Sequence, residues 1–213
     1  MEVKMDNFYE QIARKPLLDL VIEQEEAQFW QKQYENSNEI TLYSWARNGW
    51  VENTRDNLKH FGHFNKDRSV MIFFNDLANK PIILVGAGPS LELNIEYLKL
   101  AKEKGIAIMA SSHSLMYLAD HNIKPDYVCV LDAGKLWDDY FAFDKLDCSD
   151  VPLFADQVCH PDHLKKWKGP VYFFKSAFPQ ISVVGKFVAM ELNRLVSPNN
   201  CGTTIEVAGH VMG

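Results

Sequence analysis

Residues 81–91 read Pro-Ile-Ile-Leu-Val-Gly-Ala-Gly-Pro-Ser-Leu, and this stretch decides the predicted fold. Ile82 to Val85 form a short apolar run, β-branched at three of its four positions, which is typical of a strand buried on both faces. Gly86 and Gly88 predict a turn with positive φ and with no side chain in the space above it. From position 91 to 104 apolar residues recur among charged ones, which predicts one amphipathic helix.

Strand, glycine turn and helix start together predict an anion-binding site, because free backbone N–H groups and the positive end of a helix dipole meet there. Pro89 suits the first helical turn, and Ser90 can satisfy N–H groups at that turn. The complete Gly-x-Gly-x-x-Gly pattern is absent, since position 91 is Leu. No Gly-Lys-Ser/Thr follows either, which excludes the P-loop of nucleoside triphosphatases. Phosphate or nucleotide binding therefore stands beside the alternative of a tight strand-to-helix turn without a ligand.

The composition is that of a globular protein with a sizeable core, since 47% of the 213 residues are hydrophobic and 12% are aromatic. The net charge of −6 divides evenly between residues 1–80 and 81–213, and no basic face stands out. We therefore expect neither nucleic-acid nor membrane binding. The four cysteines are scattered, no signal-peptide pattern opens the chain, and no apolar run approaches about 18 residues. A cytoplasmic location is expected.

The chain divides into two regions by sequence pattern. Residues 1–80 are rich in helix-forming residues, especially from 7 to 34, and are predicted to form a mainly helical N-terminal appendage. From Pro81 onward short apolar runs alternate with amphipathic segments, which predicts an α/β fold with an open, mainly parallel sheet and flanking helices over residues 81–213. Ligands bind such sheets outside the carboxyl ends of the strands, where the strand order reverses. The predicted strands are 82–85, 106–110, 127–131, 153–155 and 171–174.

Polar residues follow several of these strands. Asp132 comes directly after Tyr-Val-Cys-Val-Leu, where a carboxylate can bind a divalent metal, a sugar hydroxyl or a base edge, or cap the next turn. His113 follows the second strand and either contacts a phosphate or begins a helix without a ligand. The His-Pro-Asp-His run at 160–163 lacks companion residues at metal-ligand spacing, so we do not favour a metal there. Residues 202–204 begin the last predicted helix, as a second anion site or as an ordinary N-cap.

Three motifs occur in order along the chain. They are Val-Gly-Ala-Gly-Pro-Ser-Leu at 85–91, Ile-Lys-Pro-Asp-Tyr-Val-x-x-x-Asp at 123–132, and a Gly-Thr-Thr helix start at 202–204. Together they resemble a domain family named for an archaeal 6-hydroxymethyl-7,8-dihydropterin pyrophosphokinase, which also includes the central domain of motility-associated flagellin glycosyltransferases. The first motif is similar to that of bacterial sialyltransferases that use CMP-sialic acid. The resemblance covers about residues 81–213.

The resemblance implies a Rossmann-like nucleotide-binding domain of a transferase. The phosphates would lie between the glycine turn and the last helix start, with Ser111 and Ser112 near the nucleoside. Asp132 would be the catalytic residue and the Mg²⁺ ligand. In the pterin enzyme a diphosphate passes from ATP, with Mg²⁺, to a pterin hydroxymethyl group. For this reaction the protein mainly has to position the reactants and neutralise charge. The nucleotide- and phosphate-binding residues implied are Gly86, Gly88, Pro89, Ser90, Leu91, Ser111, Ser112, His113, Gly202, Thr203 and Thr204.

Two other functions are alternatives to the diphosphokinase. A glycosyltransferase would take a CMP-type or another sugar nucleotide, often without metal. A non-catalytic module would bind no nucleotide and would use the helical N-terminus as a partner surface. The sequence names neither the small-molecule acceptor nor the nucleotide base, and it leaves homo-oligomerisation open.

Two departures from the family pattern affect the expected activity. Asn200-Cys201-Gly202 stands where the family usually has Gly-Gly-Ser. Family members also continue past the last helix into another strand, whereas this sequence reaches only Gly213. We therefore expect a domain truncated at its C-terminus, with incomplete activity even where binding survives.

Overall fold

The computed structural model describes residues 49–135, 141–176, 194–195 and 201–213. The described residues belong to a unit that begins at Gly49. The predicted boundary at residue 80 therefore falls inside this unit rather than at its start. The helices predicted between residues 7 and 34 lie outside the described residues.

A parallel sheet with helices on both faces confirms the predicted α/β class. Its six strands follow one another across the sheet in chain order, and every neighbouring pair is parallel. The order of the described strands does not reverse, so they contain no switch point of the kind expected from the sequence. The strands are β1 (Ile82–Val85), β2 (Ala107–Ser111), β3 (Tyr127–Val130), β4 (Leu153–Asp156), β5 (Val171–Ser176) and the two-residue β6 (Arg194–Leu195).

The helices divide between the two faces of the sheet, and each face carries its own apolar core. Because successive strand residues point to opposite faces, Ile108 belongs to the first core and Met109 to the second, and both are fully buried. Burial on both faces explains why these strands read as unbroken apolar runs. The helices are α1 (Trp50–Phe61), α2 (Ser90–Leu93), α3 (Ile95–Glu103), α4 (Leu115–Asp120), α5 (Pro161–Lys166) and α6 (Cys201–Met212).

The segment before β1 is part of the core. Trp50 at the start of α1 is buried, and Phe64 packs on Phe173 of β5 with ring centroids 4.3 Å apart. Val70 and Leu77 pack on the other face together with α6. Phe64, Val70 and Leu77 lie at irregular spacing in the short segments between α1 and β1, so periodicity did not reveal that the segment belongs to the same unit.

The single helix predicted from 91 to 104 is wrong in one respect, because Asn94 divides it into α2 and α3. The Asn94 side chain donates a hydrogen bond of 2.8 Å to the backbone carbonyl of Ser90. Asparagine side chains compete in this way with the helical backbone pattern. The helix that directly follows the glycine turn, α2, is therefore only four residues long.

Helix α6 runs antiparallel to the strands. Its last residues, Val211 and Met212, accept hydrogen bonds from the backbone N–H groups of Asn75 and Leu77, just ahead of β1. A Cβ at Gly209 would lie 3.2 Å from Leu84 Cδ2, so glycine lets the helix approach β1 closely. The first turn of α6 therefore lies toward the carboxyl ends of the strands. None of the helices in the described ranges is long and apolar enough to span a membrane.

Candidate functional site

The carboxyl ends of four adjacent strands bring the predicted site residues to one edge of the sheet. The glycine turn 86–90 follows β1, His113 follows β2, and Asp132 follows β3. The turn after β4 carries His160, whose backbone N–H donates to the carbonyl oxygen of Asp132 at 3.1 Å. These predicted site residues therefore lie at one edge of the sheet, although the described strand order does not reverse there.

The glycine turn differs from its prediction in backbone conformation. Neither Gly86 nor Gly88 has a positive φ. A Cβ added at Gly86 would meet nothing within 4 Å, and one at Gly88 would meet only Ser90 Oγ, at 3.8 Å. Neither backbone strain nor crowding among the described residues requires glycine at these two positions. What glycine provides is open space above the turn, as predicted.

Several backbone N–H groups of the turn have no acceptor among the described backbone groups. Leu91 N–H donates to Gly88 O at 3.0 Å, whereas no described backbone group accepts from the N–H of Gly86, Ala87, Gly88 or Ser90. Residues 86–90 are all exposed, and Leu91 is half-buried against the first core. Successive N–H groups of this kind can bind an anion, whereas α2, with only four residues, adds little helix dipole.

His113 and Asp132 form an imidazole–carboxylate pair at this edge. Nδ1 of His113 lies 3.9 Å from Oδ2 of Asp132, and each side chain is about one-third exposed. Burial raises the pKa of Asp132 above its ordinary value, while the nearby His113 and a backbone hydrogen bond oppose that rise. Ser112 Oγ lies 3.4 Å from the same His113 nitrogen. A partly buried carboxylate beside an imidazole can exchange a proton or bind a cation.

The serines at the end of β2 are part of a buried hydrogen-bond network. Ser111 and Ser112 are both buried, so neither hydroxyl opens directly to solvent. Ser111 Oγ donates to Ser114 Oγ at 3.3 Å, and the single proton of the Ser114 hydroxyl has two acceptors within reach, Ser111 O at 2.8 Å and Val85 O, directly before the glycine turn, at 3.1 Å. Ser114, which the sequence did not single out, thus connects the ends of β1 and β2.

The turn after β4 begins α5. Nδ1 of His160 accepts a hydrogen bond of 3.3 Å from the N–H of Asp162 and so caps the helix. Burial lowers the pKa of His160, against an opposing contribution from Asp162. His163 is fully buried and stacks on Phe141 with centroids 4.9 Å apart. Within the described ranges no three His, Cys, Asp or Glu side chains are grouped to hold a metal ion.

Two of the predicted phosphate-binding residues, Gly202 and Thr204, lie in the first turn of α6. Gly202 is exposed, and Thr204 is fully buried. The side chain of Thr203 lies outside the described residues. No contact between this helix start and the glycine turn is described, so their joint role in binding phosphate stays a prediction.

A groove runs from the glycine turn along β1. It has a volume of about 300 Å³, and Ser90, Asn94 and Tyr97 line it together with apolar side chains. A volume of this size is at the lower end of small-molecule sites. The lining residues are Ile83, Leu84, Val85, Gly86, Ser90, Leu91, Asn94, Tyr97 and Leu98.

Two buried amides on α1 were not predicted from the sequence. Asn53 and Asn57 lie one helical turn apart and donate to backbone carbonyls in the turns after β3 and β4. The signal in the sequence is their i, i+4 spacing on the helix face that also carries Trp50 and Phe61. Asparagines four residues apart are also common on exposed helix faces, so the spacing alone does not show that these two side chains are buried.

The family model described as "6-hydroxymethylpterin diphosphokinase MptE-like" matches residues 51–211. The chain belongs to this family. The match includes α1, about 30 residues before the region that carried the three motifs, and it confirms the resemblance seen in them.

A solved structure, the MAf glycosyltransferase from Magnetospirillum magneticum AMB-1, is similar in fold with a TM-score of 0.52 and 18% sequence identity. The similarity covers 69% of this chain but 25% of that one, so the present chain spans about a quarter of the glycosyltransferase. No curated protein matches the chain.

Proposed function

We propose that the chain binds a nucleotide through its phosphates at the glycine turn 86–90 and is part of a transferase. The open turn carries this proposal. Its glycines leave space that the described fold does not require, and its backbone N–H groups lack acceptors among the described backbone groups. Membership of a family named for a diphosphokinase supports the choice of nucleotide over a simple anion.

The diphosphokinase reaction assigns roles to His113 and Asp132. The acceptor hydroxyl oxygen attacks the β-phosphorus of ATP, the bond from that phosphorus to the oxygen of the α-phosphate breaks, and AMP leaves. The hydroxyl proton passes to the imidazole of His113, which Asp132 stabilises once it is charged. The leaving phosphate oxygens lie toward the free N–H groups of the turn, and most of the rate gain comes from positioning and charge neutralisation.

Asp132 suits Mg²⁺ as a single carboxylate ligand, since Mg²⁺ in phosphate sites is bound by one or two carboxylates together with substrate phosphates. The fit rests on its place at the strand end, where it is one-third exposed and has a pKa raised by burial. A cation there would offset the cost of holding that charge in a partly dry site. Mg²⁺ would supply neutralisation of the phosphate charge.

A nucleotide-sugar glycosyltransferase is the second candidate. The fold likeness to the MAf glycosyltransferase favours it as much as the family name favours the diphosphokinase. In this reaction the same turn holds the phosphate of a CMP-type nucleotide, and His113 takes the proton of a sugar acceptor. Metal is not needed when the leaving group is a nucleoside monophosphate held by backbone donors.

Thermal unfolding with ATP, CTP, CMP and GTP, each with and without Mg²⁺, tests the proposal. A ligand at 100 times its Kd stabilises by about 2.7 kcal/mol, which raises the Tm of a chain this size by roughly 5–10 °C. A shift with ATP only in the presence of Mg²⁺ supports the diphosphokinase. A shift with CMP or CTP regardless of metal supports the glycosyltransferase. No shift with any nucleotide overturns the proposal and leaves a non-catalytic module.

A further inference from the structure

Helix α1 presents a polar stripe to the interior of the protein. Asn53 is 6% exposed and Asn57 is 0% exposed. Each side-chain amide directs its two N–H bonds at two different backbone carbonyls, over distances of 2.8 to 3.1 Å. Buried carbonyl groups that lose such a partner carry a large desolvation cost, so these four bonds hold the loops that accept them.

The bonds of Asn53 connect two different loops. Its Nδ2 donates to Ala133 O at 2.8 Å, in the turn after β3, and to Val158 O at 3.0 Å, in the turn after β4. The neighbouring carbonyl, that of Asp132, accepts from the backbone N–H of His160 at 3.1 Å. Two consecutive carbonyls are thus fixed, and with them the peptide planes on both sides of Ala133.

The bonds of Asn57 stay within one loop. Its Nδ2 donates to Gln157 O at 3.1 Å and to Cys159 O at 2.8 Å, both in the turn after β4. Asn57 therefore resembles Asn53 in residue type, burial, helix face and number of Nδ2 hydrogen bonds to backbone carbonyls. It differs in making no hydrogen bond to the turn that carries Asp132.

We propose that Asn53 is a positioning residue for the pair formed by Asp132 and His113. The role of that pair in the reaction rests on the proposed function. The coupling of Asn53 to the pair rests on the hydrogen-bond geometry. By fixing the carbonyl next to Asp132, Asn53 holds the carboxylate at the end of β3, facing His113 on the neighbouring strand end. Helix α1, which lies well ahead of the glycine turn in the chain, is thereby part of the site.

The test compares Asn53→Ala with Asn57→Ala in the full chain. Both variants should lose similar amounts of stability, because each removes one buried amide that donates to two carbonyls. Only Asn53→Ala should change the carbon-13 chemical shifts of the Ala133 carbonyl and the Asp132 carboxyl, measured at one neutral pH by carbon-detected NMR, because Asn53 alone donates to Ala133 O. Only Asn53→Ala should also weaken binding of Mg²⁺–ATP or CMP, by about tenfold or more.

Equal effects of the two variants on the Asp132 carboxyl shift would overturn the proposal, as would an unchanged shift in Asn53→Ala. If Asn53→Ala does not fold, Asn53→Ser and Asn57→Ser replace the pair, since a serine hydroxyl keeps one donor. The shift measurement needs no ligand. Wild-type protein that binds no nucleotide therefore refutes the proposed function, while the Asp132 carboxyl shift still decides the role of Asn53.

Discussion

The imidazole of His113 lies 3.9 Å from the carboxylate of Asp132, and the two residues follow adjacent parallel strands. The pairing of β2 with β3, rather than nearness in sequence, therefore brings the two side chains together. The pair lies beside the open turn after β1, so one edge of the sheet combines backbone donors, an acid and a base.

Asp132→Asn should raise the stability of the protein at neutral pH. Burial raises the folded-state pKa of Asp132 above 3.8, so the folded state favours the protonated form. The contribution of the Asp132 carboxyl to the free energy of unfolding is fully present below its unfolded-state pKa of 3.8. That contribution is lost as the pH rises through the folded-state pKa. The Tm advantage of Asp132→Asn over wild type should therefore grow from pH 4 to pH 7. A constant difference across this range would contradict the prediction.

Gly86→Ala should leave the fold intact and weaken nucleotide binding about tenfold or more. A Cβ at this position meets no atom within 4 Å and φ is not positive, so alanine costs no strain and restricts the unfolded chain. Calorimetric titration with the nucleotide that stabilises the wild type measures the effect.

Gly105→Ala is the matched control for that variant. Gly105 has a φ of +70°, where alanine costs about 1–2 kcal/mol, and it lies at the opposite end of β2 from the glycine turn. It should lower the Tm and leave the nucleotide Kd unchanged. Weaker binding in Gly105→Ala than in Gly86→Ala would argue against the turn as the phosphate site.

Gly169→Ala should destabilise the protein by about 2–4 kcal/mol. A Cβ there would lie 2.3 Å from Val151 O and 2.6 Å from Cys148 O, which are backbone atoms that cannot move aside. The added methyl would also approach the indole of Trp167, whose Nε1 donates to Val151 O at 3.0 Å. Urea unfolding measures the loss, and a change below 1 kcal/mol would show that the turn before β5 is more adaptable than its contacts indicate.

His160→Asn should remove part of the acid sensitivity of the fold. Burial lowers the folded-state pKa of His160 below 6.5, so its contribution is present above pH 6.5 and is lost as pH falls through the folded pKa. Protonation would also remove the acceptor that caps α5. Asparagine keeps a capping oxygen that does not titrate. Between pH 7 and pH 5 the Tm of the variant should fall by less than the Tm of the wild type. An equal fall in both proteins would contradict the prediction.

Much of the sheet could be predicted from apolar runs. Ile82 to Val85 is a strand as expected, and the predicted strand at 127–131 is observed over Tyr127–Val130. Strands buried on both faces have a strong local signal because nearly every residue in them is apolar. The same logic placed Asp132 and His113 at the carboxyl edge.

What the sequence did not reveal depends on contacts between distant residues. The break at Asn94 results from a side-chain bond to the Ser90 carbonyl, and the role of Asn53 depends on carbonyls 80 and 105 residues away. Neither has a periodic signature. The positive φ predicted for Gly86 and Gly88 is also wrong, whereas the open space predicted above the turn is present.

The outer edge of β1 has no described strand beside it. Among the described strands β1 pairs with β2 alone, and the exposed ring of Tyr97 lines the groove along β1. Such an edge is a template on which another polypeptide can add a strand, and it favours aggregation unless it is covered. Colloidal stability, followed by light scattering over a dilution series, therefore sets the concentration range in which ligand titrations report on single molecules.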